Sequence, residues 1–157
     1  MLRILIIYFS KTGNTEQMAR VVAEGVSSVG VEPVLKKVGT ASVDDLLSAD
    51  GVIFGSPTYF GTMAAEIKSF LDESVKHFGK LNGKIGGAFS SSALLGGGNE
   101  TTVLDILKAL LIHGMIIQGT TEEGHYGPVA LGSPDQTSSE ACRKLGQRVA
   151  SLVKKLN

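Results

Sequence analysis

The sequence predicts a doubly wound α/β fold: a five-stranded parallel sheet in the order 2-1-3-4-5, with helices on both faces. Three observations carry this. Short, nearly continuous apolar runs alternate with helical stripes along the whole chain, which is the pattern of parallel strands buried on both faces and joined by crossover helices. Right-handed crossovers leave few ways to wind such a sheet. The chain has 157 residues with 43% hydrophobic and 19% charged side chains, enough for a single core and too few for two full domains. Residues 1–157 are therefore expected to form one domain.

The elements follow in order. Ile4 to Phe9 reads as the first buried strand. The first helix carries Met18, Val21, Val22, Gly25, Val26 and Val29 on one stripe. Val31 to Val38 is a weaker strand, and Pro33 with the Lys36-Lys37 pair suits a sheet edge. Ser42-Val43-Asp44-Asp45 resembles a capped helix start. Gly51 to Gly55 is the third strand, followed by a helix bearing Ile67, Phe70, Leu71 and Val75. Ile85 to Phe89 is the fourth strand, and Val103, Leu104, Leu107, Leu110 and Leu111 mark the next helix. Met115 to Gln118 is the fifth strand, with the last helix from about residue 137.

Composition excludes several classes. Fifteen basic and fifteen acidic residues give no net charge, so nucleic-acid binding is not expected. No apolar run reaches the roughly 20 residues of a membrane span, and a cytoplasmic location without stable membrane insertion is expected. The single Cys142 permits no internal disulfide. It falls on the Leu145, Val149, Leu152, Val153 stripe, where a thiol behaves as a small hydrophobe. No Cys or His spacing suggests zinc, and no G-x-S-x-G motif is present. A phosphoacceptor site would need acids where this chain has Phe9-Ser10 and Gly55-Ser56.

In this kind of sheet, ligands bind beyond the carboxyl ends of the strands where the winding reverses, here between strands 1 and 3. Three segments converge there. Ser10-Lys11-Thr12-Gly13-Asn14-Thr15 leads from a strand into a helix start. Its hydroxyl, amide and backbone donors make a phosphate cradle. Pro57-Thr58-Tyr59-Phe60-Gly61 follows strand 3, and its two rings either border a flat ligand or close the core. Ser91-Ser92-Ala93-Leu94-Leu95-Gly96-Gly97 follows strand 4, with Gly98 completing three consecutive glycines that suit a backbone wrapped closely around a ligand. His125 and Tyr126, after strand 5, are weak candidates for proton donation, and an ordinary loop role is favoured for each. His113 is read as a cation at a helix C-terminus.

These segments resemble the flavodoxin-like FMN proteins, in particular the WrbA-type NAD(P)H:quinone oxidoreductases. The similarity runs through Phe54 to Gly61, Phe70-Leu71-Asp72, Phe89 to Ser92 with Gly97 to Thr101, His113-Gly114-Met115 and Tyr126-Gly127. The chain departs from that branch at Thr12, Tyr59 and Ile112, and is shorter after strands 2 and 5. The resemblance implies FMN, with its phosphate in the first loop, Thr58 to Phe60 bordering the isoalloxazine and Ser91 to Gly97 around the pyrimidine side. It implies NAD(P)H as donor and a quinone or other small molecule as acceptor. It also implies self-association, expected here as a homodimer through exposed side chains such as Leu94 and Leu95, without the branch's tetramer. A flavodoxin-type carrier exchanging electrons with redox-protein partners is the alternative, and a non-catalytic FMN module is a third reading. No aromatic lies between residues 90 and 100 to cover a flavin, and the surface is not acidic. Both features favour the reductase.

Overall fold

The structure, a computed structural model, describes all residues Met1–Asn157. In chain order the elements are β1 (Arg3–Tyr8), α1 (Asn14–Ser28), β2 (Glu32–Lys37), α2 (Asp45–Ser48), β3 (Gly51–Tyr59), β4 (Thr62–Met63), α3 (Ala65–Glu73), β5 (Ile85–Ser92), α4 (Asn99–Ile112), β6 (Ile116–Ile117), β7 (Val129–Leu131) and α5 (Gln136–Leu156). The sheet runs β2-β1-β3-β5-β6, all parallel. This is the expected winding, with β5 as the fourth strand.

Alternation along β1 divides the core. Ile4, Ile6 and Tyr8 face α1 and α5, whereas Leu5 and Ile7 face the side covered by α3 and α4. Each fully buried Ile contributes about 1.5–3 kcal/mol. Cys142 is buried in the first layer, and desolvation pushes its thiol up to about 12, against a smaller opposing effect of Arg143. The α1–α5 crossing is tight because Gly25 and Gly146 face backbone: a Cβ at either would lie 2.0 Å from Arg143 O or 2.1 Å from Val22 O.

The departures from expectation have local causes. Strands 3 and 4 continue through the polar residues read as loops, because Ser56 pairs with Ser90 and Pro57 with Ser91 in the ladder. Strand 5 is two pieces. β6 pairs with the start of β5, and β7, after an excursion through residues 118–128, pairs with its end. The second helix is a single turn. Lys84 Nζ donates to the carbonyls of Leu46, Leu47 and Ala49 at 2.9, 2.8 and 2.5 Å, closing its C-terminus. Val75 lies outside the core because α3 tightens to a 3₁₀ turn at Ser74–His77, which rotates it to 69% exposure. Leu111 is also exposed.

His113 is not a solvated cation. It is buried, and its Nε2 lies 2.7 Å from Ser74 Oγ. The Ser74 hydroxyl donates to Leu71 O at 2.6 Å, so the Nε2 carries the proton and Ser74 accepts it. The Nδ1 has no partner. Burial first, and the neighbouring His77 second, hold the imidazole below its ordinary range and therefore neutral.

Candidate functional site

A crevice of about 180 Å³ opens beyond the carboxyl ends of β1, β3 and β5. The first loop forms one wall. Gly13 adopts φ +100°, ψ −9° immediately before α1, a conformation natural only to glycine. Ser10 Oγ accepts from the N–H groups of Gly13 and Glu16, both at 3.2 Å. Its own proton is left for a ligand. No group of the chain accepts from the backbone N–H of Lys11, Thr12, Asn14 or Thr15. These amides sit at the positive end of α1, and Lys11 is the only charged residue lining the crevice. The donor set fits a phosphate monoester.

The members of this loop are not equivalent. Thr15 is buried, and its Oγ1 shares a 2.8 Å hydrogen bond with Ser91 Oγ on β5. That hydroxyl couples the two walls. Thr12 faces the crevice and makes no such bond. Asn14 Oδ1 accepts from Ser133 Oγ at 2.9 Å, which joins the turn before α5 to the cradle.

The Pro57–Gly61 segment is a hairpin, not a loose connector. Thr58 pairs with Met63 and Tyr59 with Thr62, and the turn places Phe60 at φ +49° and fully exposed. Tyr59 is half-exposed, lines the crevice and meets Phe9 edge-on at 6.3 Å. So Tyr59 is the ring at the crevice wall, whereas Phe60 projects from the rim. The hairpin is clamped to α4: Thr62 Oγ1 donates to Asp105 at 2.6 Å and Thr101 Oγ1 to Gly61 O at 2.9 Å. Gly98, at φ +100°, packs so closely on Gly61 that a Cβ would lie 2.8 Å from its Cα.

Ser91, Ser92 and Ala93 complete the crevice lining. Ser92 Oγ accepts from Asn99 Nδ2 at 2.9 Å and donates to Leu94 O at 3.0 Å. This braces a turn in which the N–H groups of Ala93, Leu94, Leu95 and Gly96 find no acceptor in the chain. Leu94 and Leu95 project outward at 71% and 87% exposure. Sequence reasoning missed Thr102, whose Oγ1 is 3.1 Å from Thr58 Oγ1, and Gly132, which lines the crevice. The Gly132-Ser133-Pro134-Asp135 run ahead of the last helix was the available signal for the latter. His125 and Tyr126 are exposed on the 121–127 turn, outside the crevice lining. His125 Nδ1 lies 2.9 Å from Thr120 O. No cluster of His, Cys, Asp and Glu able to hold a metal is present, and no helix is long and apolar enough to cross a membrane.

A parallel sheet with a phosphate-type cradle after its first strand, and a narrow cleft at its winding reversal, defines a nucleotide-cofactor protein of the doubly wound class. The Flavodoxin domain family matches residues 5–102. A protein named Flavodoxin from Aquifex aeolicus is 43% identical over 96% of this chain and 86% of its own length. A protein named NAD(P)H dehydrogenase (quinone) from Archaeoglobus fulgidus is 33% identical over 99% of this chain and all of its own. The crystal structure of a flavodoxin, WrbA-like protein from Agrobacterium tumefaciens superimposes with a TM-score of 0.86 at 30% identity, covering both chains completely. The chain belongs to the flavodoxin family, and membership implies FMN.

Proposed function

We propose that this flavoprotein is an NAD(P)H-dependent oxidoreductase that reduces a quinone by two electrons. The observation that carries this reading is the uncovered crevice: from the third segment it is lined by Ser91, Ser92 and Ala93, with no ring, and the following turn leaves the amides of Ala93 to Gly96 without acceptors. A cofactor held there keeps one face accessible to a flat reactant at near-contact distance. When bound, FMN supplies the redox chemistry, accepting hydride and returning electrons to an acceptor.

The residues divide the work. Ser10, Lys11, Thr12, Gly13, Asn14 and Thr15 hold the phosphate. Pro57, Thr58 and Tyr59 border the ring system, with Phe60 and Gly61 forming the rim. Ser91, Ser92 and Ala93 to Gly97 wrap its pyrimidine edge, to which the acceptor-free amides of Ala93 to Gly96 are offered, Gly97 N being bonded to Leu94 O. The overall reaction moves two electrons and one proton from NAD(P)H, and one further proton from water, onto the quinone, giving NAD(P)⁺ and quinol. Leu94, Leu95 and Phe60 are where we place a homodimer contact.

The carrier reading is favoured by one finding: the alignment with the Aquifex flavodoxin spans 160 positions, against 190 for the Archaeoglobus quinone dehydrogenase. Anaerobic mixing decides between them. The FMN-loaded protein should bleach on adding NADH or NADPH and recover its colour on adding a benzoquinone, with one quinol formed per reduced nicotinamide consumed. A protein that ignores both nicotinamides but accepts electrons rapidly from a reductase protein is a carrier.

A further inference from the structure

The hairpin that closes the crevice also borders a second hollow. Tyr59 is shared between the crevice and a groove of about 970 Å³ between α3 and α4. The groove is lined by Tyr59, Met63, Ala65, Ala109, Leu111 and Ile112. Leu111 and Ile112 are 56% and 72% exposed, at the end of a helix whose other face lies in the core. Contiguous apolar surface of this kind is normally covered in use.

The charges around it limit the occupant. Lys68 Nζ is 2.6 Å from Asp72, and Lys108 Nζ is 2.8 Å from Asp105, whose second oxygen accepts from Thr62. Every charged side chain in the lining is thus paired within the chain. The slot therefore combines an apolar stretch with bordering side chains whose charges are paired within the chain, and it offers no unpaired charge to complement. That suits an uncharged flexible hydrocarbon, and the junction at Tyr59 puts one end of it beside the redox site.

We infer that this groove seats the hydrocarbon tail of a lipophilic quinone whose ring enters the crevice past Tyr59. The inference rests on the proposed reductase function and narrows its acceptor to alkyl- or isoprenyl-substituted quinones. The tail contributes binding, while the ring takes the electrons and protons already balanced above.

The test compares one benzoquinone ring bearing no tail, a butyl tail and a decyl tail, with the FMN-loaded protein. Steady-state kcat/KM is read alongside methyl NMR shifts of Ile112 and Met63. Each seated methylene is worth about fourfold in kcat/KM, so a decyl tail with only two methylenes seated should already exceed the tailless compound about sixteenfold, and it should shift both methyls. Ile112→Glu should compress that ratio below about threefold while leaving the tailless substrate unchanged, and Ile112→Leu should restore it. Equal kcat/KM across the series, or no methyl shift with the decyl compound, overturns the inference. Sedimentation showing a dimer that Ile112→Glu dissociates, with tail dependence unaltered, also overturns it and assigns the groove to a second copy. If no quinone is reduced, the reductase reading fails. Methyl shifts with the decyl compound alone would still support the tail site.

Discussion

Gly13→Ala isolates the backbone of the cradle from its side chains. Nothing lies within 4 Å of a Cβ built at Gly13, so the substitution meets no steric clash. The cost is conformational: holding an L-residue in left-handed space takes about 1–2 kcal/mol. The loop cannot relax freely, because Gly13 N donates to Ser10 Oγ and Gly13 O accepts from Gln17 N at 3.0 Å. The FMN-free protein should lose about 2–8 °C in Tm, at roughly 2–4 °C per kcal/mol for a chain of this size. Where the variant relaxes instead, the unpaired amides of Thr12 and Asn14 shift from their places beside Gly13. Restoring them for a phosphate then draws on that same strain energy, so the Tm loss shrinks as FMN weakens, by up to about 5- to 30-fold. Riboflavin lacks the phosphate and should change less than about twofold. Flavin fluorescence quenching gives both affinities. An equal loss for FMN and riboflavin would refute the assignment of the cradle, and an unchanged Tm together with an unchanged FMN affinity would refute the strain argument.

Two further outcomes follow from packing and protonation. Gly146→Ala should destabilise by about 1–3 kcal/mol in urea unfolding, against the usual helix-interior preference for Ala, because its Cβ would press on Val22 O. Gly39→Ala, with no atom within 4 Å and no positive φ, is the control and should stay within about 0.5 kcal/mol of wild type. His113 is held below its ordinary range by burial, so its stabilising neutral form is complete above the unfolded imidazole value of about 6.5 and is lost as pH falls through the lower folded value. Urea midpoints should therefore drop as pH falls below about 6.5. In His113→Gln, whose amide can still donate to Ser74, that drop should flatten. An identical slope in both proteins would place the acid sensitivity elsewhere.

The winding was legible because its signals are local and redundant. Apolar runs such as Ile4 to Ile7 and Val52 to Phe54 have no other good use, and crossover handedness does the rest. The edge role of β2 was readable from Pro33 and Lys36-Lys37. The tight strand-to-helix turn was readable because Gly13 stands among the hydroxyls of Ser10, Thr12 and Thr15 directly after an apolar run, and it takes the positive φ that opens α1. Strand ends were not, since Ser56 and Ser90 to Ser92 are poor strand formers held by a ladder partner distant in sequence. Val75 and Leu111 continued a helical stripe on paper. The tightening at Ser74 and the absence of a neighbour over the end of α4 are tertiary facts without a local signature. His113 carried the same difficulty: a C-terminal histidine reads as a cation until Ser74 and the burial around it are seen.

The divided last strand has an evolutionary consequence. The chain leaves the edge of β5 after Ile117 and rejoins that same edge at Val129. Gly127 lies flat against Ala88, where a Cβ would fall 2.1 Å from its carbonyl oxygen, and Ser90 N donates to Pro128 O at 3.1 Å. Departure and return are fixed by separate contacts, so the ladder does not depend on the length of what lies between. Loop-closure entropy rises by only about 0.6 kcal/mol for each doubling of a loop. This excursion is thus a place where a lineage can gain or shed a whole surface appendage, and with it new quaternary contacts, while the sheet and the crevice persist.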